Sequence, residues 1–151
     1  MPESLDASVA AASLSLGRLV VLVRDYEEAL TFYQAAFGAR VLFDAASPNG
    51  DRYLHVGLMG DAATREGGAS PVGFWLLRAS GADVERVGRQ TGGQPLAVLY
   101  ASDAAAAVAR VQAAGGPVRQ PLRTAGGATF AHVADLHGNE FVIVELAPGA
   151  G

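Results

Sequence analysis

The 151-residue chain has no cysteine, and its 11 basic side chains are all arginine. Without thiols it can form neither a disulfide nor a thiolate metal site, which suits a reducing cytoplasm. The arginines are scattered with no basic run, and the net charge is −4. Neither nucleic acid nor an anionic membrane is therefore an expected partner. No apolar run approaches the roughly 20 residues of a membrane-spanning helix. Residues 1–16 contain Glu3 and Asp6 but no basic residue, so they lack the positive start of a secretory signal and read as a loose tail. A second short tail is expected over 147–151. What is present is apolar: half of the residues, ample for a sizeable core in one domain.

Leu19-Val20-Val21-Leu22-Val23 reads as a buried strand. Asp25 follows as an N-cap, and Glu28 three residues on completes a capping box in which the glutamate reaches back. Ala29, Leu30, Phe32, Tyr33, Ala36 and Phe37 recur at helical spacing, and Gly38 supplies a stop. Strands are expected at Val41–Phe43, Tyr53–Leu58 and Val72–Leu77, with an Asn49-Gly50 turn and a long polar loop over 60–71. Residues 79–94 are broken by glycines and read as a linker with one or two helical turns at most. A strand at Leu96–Tyr100, a helix at Ala104–Ala114 capped by Asp103, and an extended segment at Val118–Arg123 follow. The stretch from Thr129 to Leu146 reads as strand, tight turn at Leu136-His137-Gly138-Asn139, and strand.

The order repeats: strand, helix, three strands, linker, then the same again, with a period of about 78 residues. Module boundaries fall at 17–78 and 95–146, joined by 79–94, within one domain over 17–146. Asp25 matches Asp103. Tyr53-Leu54-His55-Val56 matches Phe130-Ala131-His132-Val133, since Asp25 to His55 spans 30 residues and Asp103 to His132 spans 29. Two strand histidines therefore occupy equivalent places. His137, at a turn tip, reads as simple surface.

These residues resemble the vicinal oxygen chelate superfamily, which holds glyoxalase I, bleomycin-resistance proteins and extradiol dioxygenases. The carrying segments are Val23-Arg24-Asp25-Tyr26-Glu27-Glu28-Ala29-Leu30-Thr31-Phe32-Tyr33, then Phe37-Gly38, then Asp135-Leu136-His137-Gly138-Asn139-Glu140-Phe141. The resemblance implies an α+β fold of two βαβββ modules, with curved mixed sheets around a cavity, helices outside, and a homodimer. In its metalloenzymes it implies a divalent ion held by His and Glu ligands with an open position. Those ligands would stand seven residues before each cap aspartate, seven after the turn aspartate, and on the Val72–Leu77 strand. Here the counted places hold Arg18, Leu96 and Val142, and the strand has no His or carboxylate. No cofactor is therefore expected, although two histidines would hold a divalent metal if a carboxylate joined them.

Strand alternation then sorts the remaining candidates. His132 stands three residues before the turn aspartate, where the extradiol members carry a cavity tyrosine, and Phe130 shares its face. By the repeat, His55 and Tyr53 line the same cavity from the other half. Arg18, Tyr100, Trp75 and Val142 complete the expected ligand-binding set, an apolar and aromatic pocket with a few polar groups. The preferred expectation is a metal-free cavity that binds a small apolar or aromatic molecule, by sequestration or as a sensor. The alternatives are a lyase, isomerase or dioxygenase using His55 and His132 as acid and base, and a structural or interaction module without ligand.

Overall fold

The computed structural model describes residues 12–58 and 72–148. Most of the tails expected at 1–16 and 147–151, and the loop expected at 60–71, lie outside them. The first module contains β1 (Arg18–Val23), α1 (Tyr26–Phe37), β2 (Arg40–Ala46), β3 (Arg52–Gly57) and β4 (Gly73–Arg78). The second contains β5 (Ala97–Tyr100), α2 (Ala104–Ala113), β6 (Val118–Ala125), β7 (Ala128–Ala134) and β8 (Glu140–Leu146). Each forms a four-stranded mixed sheet, ordered β1-β4-β3-β2 and β5-β8-β7-β6, curved but not closed. The parallel pairs are β1 with β4 and β5 with β8. Arg18 lies inside β1, opposite Gly73, and not ahead of it.

Both helices start where the aspartates stand. Asp25 Oδ1 accepts from Glu28 N at 2.7 Å and Asp103 Oδ1 from Ala106 N at 3.0 Å. Each satisfies an amide that the first helical turn leaves without a backbone partner. Gly38 ends α1 at φ 66°, a conformation costly for residues with a Cβ. One detail of the capping box differs. The Glu28 carboxylate does not close the box but stands 3.8 Å from His137 Nε2.

The two modules share one core. Tyr33 of α1 sits edge-on to Phe74 of β4 at 6.0 Å and to Phe141 of β8 at 6.2 Å, and those two rings lie 5.8 Å apart. Leu54, Val56 and Leu76 from one sheet, and Ala131, Val133 and Ile143 from the other, are buried in the same cluster. Alternation therefore places Tyr53, His55 and Trp75, and likewise Phe130, His132 and Val142, on the sheet faces turned away from that core.

The stretch 79–94 is more than a linker. After a 3₁₀ helix at Gly81–Arg86, Gln90 covers the outer edge of β1. Its Nε2 donates to Val20 O and its Oε1 accepts from Leu22 N, both at 2.8 Å, while Asn139 Nδ2 donates to Leu22 O at 3.2 Å. Side-chain amides thus occupy edge groups that would otherwise invite another strand.

Candidate functional site

On the outer face of the first sheet, β3 and β4 set His55 directly opposite Trp75, and β2 sets Phe43 opposite His55. Their rings form a continuous row. Phe43 lies 5.5 Å from His55, His55 lies 5.6 Å from Trp75, and Tyr53 lies 5.9 Å from Trp75, all tilted. Phe43 is 49% exposed and Tyr53 39%. Arg18, from β1 at the same face, donates from Nε to His55 Nδ1 at 3.2 Å. A guanidinium has no acceptor, so the polarity of this bond is settled: Nδ1 is bare, and the proton of the neutral ring sits on Nε2. Burial, reinforced by the Arg18 charge, holds His55 below its ordinary value of 6.5. Arg18, Tyr53, His55 and Trp75 are thus brought together as one site, joined by Phe43.

The second sheet carries the opposite arrangement. His132 Nδ1 and Glu140 Oε2 lie 2.9 Å apart, and Arg119 Nη1 reaches Glu140 Oε1 at 3.2 Å. Burial raises the Glu140 carboxyl, but hydrogen bonds from His132 and Arg119 outweigh it and hold the group below its ordinary value. Ionised Glu140 only accepts, so His132 donates from Nδ1, and in the neutral ring Nε2 is then the acceptor. Val142 is the register partner of His132, and Phe130, on the same face, lies under the Arg123 guanidinium at 4.8 Å. Tyr100 is 75% exposed and borders a cavity of about 400 Å³ with Leu19, Val72, Phe74 and Val98. The expected single set of residues therefore falls into a first-sheet group around His55, a second-sheet group around His132, and Tyr100 at a groove between modules.

Two site residues escaped the sequence reading. Glu140 was legible, since it stands two residues before Val142 and so shares its face. Phe43 was not, because a β-bulge between Val41 and Phe43 sets its register, and no local pattern marks that bulge. His137, expected at the surface, is buried. Its Nδ1 accepts from Arg24 N at 3.2 Å, and its Nε2 has no hydrogen-bond partner among the described residues, with the Glu28 carboxylate 3.8 Å away. Burial dominates there too and holds His137 below its ordinary value; Arg24 adds to the depression, while Asp135, Glu28 and Asp25 oppose it.

The two depressed histidines make a pH prediction. The unfolded chain takes up these protons near 6.5, the folded chain only at lower pH. Stability is therefore fully present above about pH 6.5 and is lost as pH falls toward the folded values. The urea midpoint should fall between about pH 7 and about pH 5, and His55→Phe should flatten part of that slope. A flat parent profile over this interval would rule out the assignment.

The resemblance implies a divalent ion held by His and Glu ligands, and the places counted for them can be read in the structure. Arg18 on β1, Leu96 just before β5 and Val142 on β8 stand at the counted places. Among the described residues, no three His, Asp, Glu or Cys side chains are grouped to hold a metal. The His132–Glu140 pair supplies two donors, with no third among the described residues.

Solved structures share this architecture. UcmS2 superposes with a TM-score of 0.70 at 20% identity, over 88% of this chain and 98% of its own. TnmS3, an antibiotic binding protein from Streptomyces sp. CB03234, gives 0.65 at 22% identity, over 91% and 98%. A V278E mutant of glyoxalase I from Zea mays gives 0.64 at 15% identity, over 87% of this chain and 44% of that one. No curated protein matches the chain. A family model does match residues 15–143, nearly the whole described fold with both histidine-bearing sheets, and by it the chain belongs to the Glyoxalase/Bleomycin resistance protein/Dioxygenase superfamily.

Proposed function

We propose that this protein binds a small apolar or aromatic molecule on the outer face of its first sheet, without a metal ion. The observation that carries the reading is the row of rings Phe43, His55, Trp75 and Tyr53, with Phe43 and Tyr53 open to solvent, next to the Arg18 guanidinium. Aromatic rings supply large contact area at low entropic cost, and a few fixed polar groups orient what lands on them. The superposition on TnmS3, whose description is that of an antibiotic binding protein, supports a binding role over turnover. The absence of a third metal donor beside either histidine, among the described residues, supports metal independence.

Trp75 is the only tryptophan, so its emission reports this face directly. Naphthalene-class aromatics added to chelator-treated protein should quench Trp75 in a saturable way. Phe43→Ala should weaken that binding by about tenfold, the scale of one lost buried aromatic contact. Emission unmoved by any such compound, or quenching that appears only after a divalent metal is restored, would defeat the reading.

A second reading rests on the other sheet. His132, oriented by a carboxylate that Arg119 pins, is built as a proton acceptor, which suits a lyase or isomerase step. If a substrate is found, His132→Gln should abolish turnover. Glu140→Gln should lower kcat and move the pH profile, because the amide no longer requires the Nδ1 proton. Turnover that survives both changes removes this alternative.

A further inference from the structure

The aromatic face carries two hydrogen-bond donors that nothing among the described residues accepts. His55 Nε2 and Trp75 Nε1 are both buried without a partner. An indole nitrogen only donates. His55 Nε2 must also donate, because Arg18 occupies Nδ1 from a group that cannot accept. The two side chains face each other across β3 and β4 with rings 5.6 Å apart. Buried donors left unpaired are destabilising, and folded proteins rarely keep them without a use. Here two stand together, beside a guanidinium, in a row of rings. Phe43 leans on one of them and Tyr53 on the other, and both of these rings are exposed at the rim.

We infer that the ligand of this face is an aromatic molecule bearing a conjugated acceptor oxygen, a ketone-type carbonyl, which enters between the Phe43 and Tyr53 rings and accepts from His55 Nε2–H and Trp75 Nε1–H. This inference rests on the binding role proposed above and adds the class of ligand. A hydrocarbon of the same shape leaves both donors unpaired. A hydroxyl-bearing analogue that must donate finds no acceptor in the imidazole or the indole. The selectivity comes from that one-sided polarity, since a site with buried donors discriminates against analogues that lack the acceptor far more than against small changes in apolar size.

The test uses the whole chain and a matched pair of probes, naphthyl methyl ketone and the ethylnaphthalene of the same substitution. The single indole N–H resonance of Trp75 is followed by proton–nitrogen NMR, and affinities are measured by calorimetry. The ketone should bind at least about tenfold more tightly than the hydrocarbon. It should move the indole proton downfield, as hydrogen bonding does, where the hydrocarbon does not. Trp75→Phe keeps a ring and removes the donor, so it should shrink the preference while the hydrocarbon still binds. Equal affinities, or an indole proton that stays in place with the ketone bound, would overturn the donor assignment and leave the aromatic-binding role standing. Failure of both probes to bind would overturn both. The comparison on the parent protein decides the matter even if the variant does not fold.

Discussion

Asp135→Ala should cost about 3–5 kcal/mol of stability, the largest loss expected from one substitution in this chain. The reason is the number of groups that end on one buried carboxylate. Asp135 Oδ1 accepts from His137 N and Asn139 N, both at 2.9 Å. Its Oδ2 accepts from Asn139 Nδ2 at 2.9 Å and from Tyr33 Oη at 2.8 Å. The first three bonds fold the β7–β8 turn, and the fourth ties it to α1 of the other module. Burial, and then the neighbouring Asp135 charge, push the Tyr33 phenol well above its ordinary value, so it stays a donor at any physiological pH. Alanine leaves four donors in a closed space, and each unpaired donor costs about 1–3 kcal/mol, less whatever entering water recovers. Asp135→Asn keeps one acceptor oxygen and should lose roughly half as much. In urea the alanine variant should unfold about 2 M earlier than the parent. A midpoint within about 0.5 M of the parent would show that the turn does not depend on this residue.

The second large effect belongs to Gly88, in the stretch between modules. It holds φ 76°, and a Cβ placed there would meet His137 O at 2.5 Å and the Gly138 Cα at 3.1 Å. Alanine must bear the left-handed conformation and also push the segment off the turn, about 2–4 kcal/mol together. Gly92 is the control. It has φ 66° but no atom of the described residues within 4 Å of a Cβ, so Gly92→Ala meets the conformational cost alone, about 1 kcal/mol. The difference between the two isolates the steric contact. Hydrogen exchange supplies a second reading. Leu22 N donates to Gln90, two residues beyond Gly88, so its amide should exchange faster in Gly88→Ala than in Gly92→Ala. Equal stabilities for the two variants would mean that the segment does not press on the turn.

Local signals in the chain located most of the architecture. The caps at Asp25 and Asp103 and the stop at Gly38 act over three to five residues, and each stands where its pattern placed it. The readings that failed depend on contacts between distant segments. His137 looked like a turn tip because the Leu136–Asn139 sequence is polar and flexible. It is buried because α1 and the strand end at Arg24, in the other module, close over it. Gln90 looked like part of a glycine-broken linker, and only the packed fold shows an unpaired edge of β1 for its amide to cover.

The two histidines of the repeat mark the division most sharply. Sequence alone determined that His55 and His132 occupy equivalent strand positions, because the cap-to-histidine spacing repeats in both modules and alternation puts Tyr53 and Phe130 on the face of each. It also determined that arginine, leucine and valine stand where the superfamily's metal ligands would be. The tertiary structure alone decided what each imidazole presents. Arg18, 37 residues away, takes Nδ1 of His55 and leaves a donor. Glu140, arriving across the turn, takes Nδ1 of His132 and leaves an acceptor. A tautomer is set by the partner at the other nitrogen, and that partner is chosen by the fold.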